Sequence, residues 1–579
     1  MNRKQRRAAF KLAPGKTGAH SDGESVSQLF VEASRLHQQN KFADAARAYK
    51  RLLALKPDHA EACNNLGRVL HAQGKSREAS AYFAHALALM PQLLDQFNEV
   101  CATLGVLLRP LAEAMRRANG AWPQRLPLDQ LLGNAGLAAI ADDPLLLCVL
   151  RSTPVRDVAL ERALTSLRRA LLETSLAGKP RDDAVLEFCG ALAQQCFINE
   201  YVFAATPAED AQVERLLNAL ANALATGDEV APSQPTALAM YRPLNALPFA
   251  PALLARQWPR PVDDLLTQQV REAEEERQLR GSIARLTPIE DDVSRRVRRQ
   301  YEENPYPRWV YAATAQEAIS IDEHVRRQFP AARYHPLGKS ELDILVAGCG
   351  TGRHPIEVAR TYKNANVLAV DLSLTSLCYA KRKTPPEIVG RIEYAQADIL
   401  KLASIGRTFD VVDSSGVLHH LAEPLGAWRD LLTLVRPNGL MHLGLYSEIA
   451  RRDVVKARAF IAEHKYQPTP DDIRRCRQDL LNSPLKTIAR AADFFSVSEC
   501  RDLLFHVQER RLSIPAIKAF IVEQRLNFIG FEFSPQTLAQ YGALFAQSGW
   551  SLTDLDRWHA LEMQYPDTFS AMYQFWVQK

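Results

Sequence analysis

Apolar positions near the start of the chain recur at helical spacing, and that pattern itself repeats. Ala33, Ala45, Tyr49 and Pro57 return 34 residues later as Gly67, Ala79, Phe83 and Pro91. Small residues where two antiparallel helices must touch, with an aromatic between consecutive pairs, describe helical hairpins stacked side by side. Two such units leave apolar edges uncovered, so residues 97–118 are expected to serve as a degenerate third unit or cap. Further on, Leu160, Leu164, Leu167, Leu171 and Leu172 trace one helical face, and Leu186, Cys189, Leu192, Cys196 and Phe197 another. This stretch carries no catalytic cluster and is expected to be a helical connector. Residues 232–261 hold seven prolines, which remove amide donors and break any long helix. Trp258, Tyr241 and several leucines there imply an ordered but irregular crossing.

After Asp343 the pattern changes. D-I-L-V-A, N-V-L-A-V, R-I-E-Y-A-Q-A-D, F-D-V-V-D-S-S and G-L-M-H-L-G-L-Y are short apolar runs separated by helical segments. They imply a parallel, doubly wound sheet whose ligands sit at the carboxyl ends of the strands. A P-N-G turn at 437–439 is expected to send the chain into the fifth strand. Mainly helical residues follow as a cap, in which Phe494, Phe495 and Phe505 are pocket walls or core aromatics. N-F-I-G-F-E-F and a closing M-Y-Q-F-W-V complete the sheet, with Trp576 as packing. The expected division is a basic disordered tail (1–25), helical repeats (26–122), a connector with the proline-rich crossing (123–290), a linker or lid (291–340), and an α/β domain (341–579) capped at about 447–526.

Charge and cysteine usage narrow the classes. A net charge of +5 is small for 579 residues and gives no reason to expect nucleic acid as the main partner. No run approaches the roughly 18 apolar residues of a membrane span. The nine cysteines are scattered without any C-x-x-C clamp, which fits a reduced, cytoplasmic chain with no metal. The basic start, M-N-R-K-Q-R-R-A-A-F-K, lacks the apolar core of a secretory signal. The basic run R-R-V-R-R at 295–299 is expected on a solvated helix face.

The candidate chemistry lies at 345–352, L-V-A-G-C-G-T-G. A nicotinamide fingerprint needs its last glycine where Arg353 stands, and a phosphate loop needs Gly-Lys-Ser/Thr where Gly352 is followed by Arg353 and His354. The remaining G-x-G-x-G resembles motif I of class I S-adenosylmethionine-dependent methyltransferases. In that resemblance, glycine amides and the helix start face the cofactor carboxylate. Asp371, ending the second strand, accepts both ribose hydroxyls, and Asp398 with Ile399 contacts the adenine. The implied cofactor contacts are Gly348, Cys349, Gly350, Thr351 and Gly352, then His354, Asp371, Leu372, Asp398, Ile399 and Ser415. The 34-residue period resembles the tetratricopeptide repeat. The whole chain, through Q-C-F-I-N-E-Y-V-F, Y-E-E-N-P-Y-P-R-W and R-D-L-L-F-H-V-Q-E, resembles bacterial proteins that join such repeats to a methyltransferase domain.

Direct in-line attack on an activated sulfonium methyl needs no metal or covalent intermediate, and a base only if the acceptor must lose a proton. His419 and His420, after the fourth strand, are the candidate bases; packing and a local hydrogen bond are their structural alternative. Tyr301, Tyr306 and Trp309 form a lid over the cofactor or anchor the linker. N-P-Y-P at 304–307 only superficially resembles the N/D-P-P-Y box of DNA-base amino methyltransferases, because its tyrosine and second proline are exchanged. The repeats suit a protein or peptide acceptor or partner; methylation of a small metabolite, or a non-catalytic scaffold, are the alternatives.

Overall fold

A computed structural model describes residues 25–177, 182–312 and 317–579. The expected basic tail lies outside the described residues, except for Ser25. The chain divides into two compact units, one ending at Leu89 and the other spanning Met90–Lys579.

The first unit contains the helices Val26–Gln38, Phe42–Leu55, Ala60–Ala72 and Ser76–Leu89, paired as two hairpins. Ser25 starts the first through a capping box: its hydroxyl accepts from the Gln28 amide while the Gln28 side chain accepts from the Ser25 amide. Ala33, Ala45, Tyr49 and Ala79 are fully buried, and a Cβ on Gly67 would stand 3.0 Å from the Phe83 ring. The repeat is therefore present at the positions the period picked out. The expected boundary at 122 is not. Helices Phe97–Leu107 and Arg109–Ala121 do form a hairpin, but the latter packs on Val158–Leu176 and belongs to the second unit.

The second unit is built on an eight-stranded sheet. Its strands are β1 (Ala284–Arg285), β2 (Leu342–Ala347), β3 (Ala365–Asp371), β4 (Ile392–Gln396), β5 (Phe409–Ser415), β6 (Val435–Tyr446), β7 (Asn527–Phe531) and β8 (Met572–Gln578), in the order β1-β4-β3-β2-β5-β6-β8-β7. All pairs are parallel except those of β8, which runs antiparallel to β6 and β7. Seven strands and an antiparallel last strand match expectation. The eighth, β1, pairs Ala284 with Ala395 at the sheet edge, so the α/β domain begins before 341. The P-N-G segment lies inside β6 rather than ahead of it, taken up as a bulge with Asn438 at φ 61°.

Both sheet faces are covered, as the nearly continuous apolar strands require. Leu345 and Ala347 join the core on one side with Trp428, Phe520 and Phe575. Ile344 and Val346, one residue out of phase, join the other with Ile356, Leu377 and Trp576. Helices occupy the chain between β6 and β7, where the cap is expected, and they are tied to the connector. Arg477 of the helix Pro470–Leu481 is fully buried, donates to both carboxylate oxygens of Glu161 (3.2 and 2.8 Å), and also reaches the Phe494 and Val202 carbonyls. Nearby, Val497 N–H donates to Asn199 O at 3.4 Å. Phe494 and Phe495 are core residues here, 0% and 2% exposed. Among the described residues, no helix is long and apolar enough to cross a membrane.

Candidate functional site

A cavity of about 330 Å³ opens at the carboxyl ends of β2, β3, β4 and β5, within the size range of small-molecule sites. The strand ends place its walls. Gly348, Cys349 and Gly350 follow β2; Asp371 ends β3 and Leu372 follows it; Asp398 and Ile399 follow β4; Ser415 ends β5. All eight were expected from sequence, and the cavity brings them together.

The glycines work differently from expectation. The amides of Gly348 and Cys349 both donate to Val370 O, Gly350 N–H to Asp371 Oδ2 at 2.8 Å, and Gly352 N–H to Cys349 O. Those donors are engaged within the chain rather than free for a ligand. What the glycines supply is room: a Cβ on Gly348 (φ +86°) would stand 2.4 Å from Val417, and one on Gly350 (φ +50°) 2.7 Å from Tyr306 O. Thr351 is fully buried and anchors the lid through its hydroxyl, which donates to Pro307 O. Gly352 starts the helix Arg353–Thr361 and lies against Ala380. Neither Thr351 nor Gly352 lines the cavity.

Asp371 accepts from Gly350 N–H and, at 2.8 Å, from Ser373 N–H. A carboxylate with two oxygens retains acceptor capacity toward the cavity. Burial pushes its carboxyl up to about 6, against the opposing pull of the Ser373 and Gly350 amides. Asp398 caps the short helix Ile399–Ile405 by accepting from Leu400 N–H, and burial also raises its pKa.

Of the three aromatics expected as lid or anchor, two reach the cavity. Tyr301 and Tyr306 line the cavity with rings stacked 6.4 Å apart, and burial raises both phenols. Trp309 is an anchor: its indole donates to Thr351 O at 3.1 Å, outside the cavity. The helix Asp292–Glu303 also closes the site through Ser294, Val297 and Tyr301, and leaves Arg295, Arg296 and Arg299 exposed. The i, i+3 spacing of Ser294, Val297 and Gln300, all buried, was the available signal for that face. Glu302 ties the lid to the loop after Asp371, accepting from Leu374 N–H and the Thr375 hydroxyl at 2.6 Å each.

The two candidate bases separate. His419 is fully buried behind the wall, its ring 3.5 Å from that of Tyr446, and does not line the cavity. The loop turn that points His420 inward sends its neighbour into the core. His420 lines the cavity, and its Nδ1–H donates to the Gln508 carbonyl at 2.9 Å. Because a carbonyl only accepts, neutral His420 keeps its lone pair on Nε2. Burial lowers its pKa and favours that neutral form. Behind it, His506 stacks at 3.6 Å, and Tyr301 donates to Asp502 at 2.6 Å.

His354 borders the cavity, but its Nε2 lies 2.8 Å from Asp413 Oδ2 instead of standing free for a cofactor carboxylate. Burial disfavours its charged form, yet the Asp413 carboxylate overrides this and pushes it up to about 9. Sequence reasoning missed Asp413 and His442, which sit side by side in β5 and β6 with Nδ1 to Oδ2 at 3.0 Å. Burial works against charge on Asp413, but the two histidines hold it well below the usual carboxylate range. Arg353, also on the cavity wall, was likewise passed over.

Comparison with known proteins agrees with this layout. The methyltransferase-domain family matches residues 345–443, and tetratricopeptide-repeat families match 33–74 and 60–93. An uncharacterized Synechococcus protein is 24% identical over 309 residues, covering 50% of this chain and 73% of that protein. A ubiquinone biosynthesis O-methyltransferase of Methylocella silvestris is 36% identical over 122 residues, 21% of this chain and 46% of the relative. The chain thus spans less than half the length of that enzyme. The structure of PKMT2 from Rickettsia typhi in complex with AdoHcy is 16% identical with a TM-score of 0.36, covering 45% of this chain and 53% of that one.

Proposed function

We propose that this chain, a tetratricopeptide-repeat protein with a class I methyltransferase domain, binds S-adenosylmethionine in the cavity below the glycine loop and transfers its methyl group to an acceptor recruited by the repeats. One observation carries the cofactor reading: Asp371 and Asp398, on successive strand ends, both face the cavity bordered by Gly348 and Gly350. Asp371 takes the ribose hydroxyls, Asp398 and Ile399 the adenine, and Leu372 packs beside the ring. The methionine carboxylate falls to Arg353 and the start of its helix, where peptide dipoles favour negative charge.

The cofactor supplies an activated methyl, so the chain's own work is alignment and exclusion of water. Tyr301 and Tyr306 close the cavity from the lid. Nε2 of His420 takes a proton from an acceptor that must lose one, and the buried setting keeps that nitrogen unprotonated beforehand. The repeats support a polypeptide acceptor, since stacked hairpins of this kind present a surface for extended peptides.

Calorimetric titration of the full chain with S-adenosylmethionine tests the binding step, with no heat of binding as the refuting result. Methyl-labelled cofactor incubated with a cell extract tests the acceptor. Label in macromolecules supports the polypeptide reading, and label confined to small molecules replaces it with metabolite methylation.

A further inference from the structure

Three donors from three separate elements converge beside the glycine loop. His354 belongs to the helix Arg353–Thr361, Asp413 to β5 and His442 to β6. Nε2 of His354 and Nδ1 of His442 approach the same oxygen, Asp413 Oδ2, at 2.8 and 3.0 Å. Ligand atoms bound at about 2.0–2.2 Å to one ion stand roughly 3.0–3.5 Å from each other, so little movement is needed to admit a cation among them. Asp413 is 4% exposed, and its second oxygen, Oδ1, is buried without a hydrogen-bond partner. Such an oxygen is costly unless something positive meets it.

The surroundings complete the donor set. Nε2 of His442 faces the Glu532 carboxylate at 3.3 Å, and Trp576 holds that carboxylate with an indole N–H at 3.1 Å. The negative charge of Glu532 favours a proton on Nε2 of His442, an atom without a hydrogen-bond partner here, and so leaves Nδ1 to coordinate, as in carboxylate–histidine–metal arrangements. We propose that His354, Asp413 and His442 form a binding site for a divalent first-row transition ion, with its remaining positions open toward the cavity that His354 borders. Two imidazoles and one carboxylate favour zinc, iron, cobalt or nickel over magnesium or calcium. No local motif marks the site in the sequence, because the ligands lie far apart along the chain.

A second cluster, His420, Asp502 and His506, does not meet the same conditions. Nδ1 of His506 accepts from Gln508 N–H at 3.1 Å, so neutral His506 carries its proton on Nε2, the atom that would have to coordinate. That cluster is a hydrogen-bond network.

The test is titration of chelator-treated, tag-free full chain with Co(II), read by its visible ligand-field absorption, followed by displacement with Zn(II). One equivalent is expected to bind. His354→Gln, Asp413→Asn and His442→Gln should each weaken binding by at least about 100-fold, more than second-shell changes usually do, while His506→Gln leaves it unchanged. No saturable one-to-one binding, or binding that survives His354→Gln but fails in His506→Gln, overturns the proposal. His354 is partly exposed, so its variant keeps the test valid should the two core variants fail to fold. S-adenosylmethionine titrations of the same samples separate a missing metal site from a missing cofactor site.

Discussion

Under the proposed cofactor reading, replacing Asp371 with alanine removes the acceptor for both ribose hydroxyls. In the structure the carboxylate already holds Gly350 N–H and Ser373 N–H at 2.8 Å each, so it is fixed in direction before any ligand arrives. Hydrogen bonds to a charged acceptor contribute about 1.5–3 kcal/mol each. Two of them amount to about 3–6 kcal/mol, or a loss of about 10² to 10⁴ in affinity. The pH dependence supplies an independent check. Burial raises this carboxyl to about 6 from an ordinary 3.8, so it protonates as the pH falls through 6. The ionised form alone accepts both hydroxyls. Affinity is therefore fully present well above pH 6 and declines about tenfold for each unit below it. Asp371→Asn should bind more weakly at pH 8 and lack that decline. Calorimetry with S-adenosylmethionine between pH 5 and 8, on samples shown to be folded by circular dichroism, reads both effects. An alanine variant binding within about threefold of the parent would refute the ribose assignment; a parent affinity flat across that range would refute the ionisation argument.

Gly350→Ala forces a Cβ to 2.7 Å from Tyr306 O at φ +50°. It should cost about 1–3 kcal/mol of stability and weaken cofactor binding, measured by urea unfolding and calorimetry. Arg477→Met leaves Glu161 buried and unpaired and should destabilise by about 3–5 kcal/mol, whereas Arg477→Met with Glu161→Leu should recover most of it in the same unfolding assay. His420→Gln should lower kcat by about 10² to 10⁴ with cofactor affinity unchanged. The acid limb of the parent's kcat profile should lie below the ordinary histidine value, because burial lowers this group; an unaltered kcat in the variant would remove His420 from the reaction.

The cavity wall was legible because each part of it is local. A strand, a glycine turn and a helix start are adjacent in sequence, and an acid at a strand end is recognisable by position alone. The repeat was legible for the same reason. What escaped depends on contacts made at long range. Asp413 and His442 lie in different strands and meet only through sheet register. Strand β1 is two residues long, too short for any alternation to register. His419 and His420 are indistinguishable by composition, and only the turn of the loop decides which one faces the cavity. Sequence shows the glycines' freedom of conformation but not the chain partners that engage their amides, so it points those amides at a ligand.

The Arg477–Glu161 contact joins positions 316 residues apart. It binds the helices between β6 and β7 to helices that precede the main strands of the sheet entirely. A truncation starting at 341 would therefore delete half of a buried ion pair along with the lid and the edge strand, and would leave Arg477 charged and stranded. The cavity-bearing domain is not portable as a cassette: moving it to another protein means carrying the connector with it.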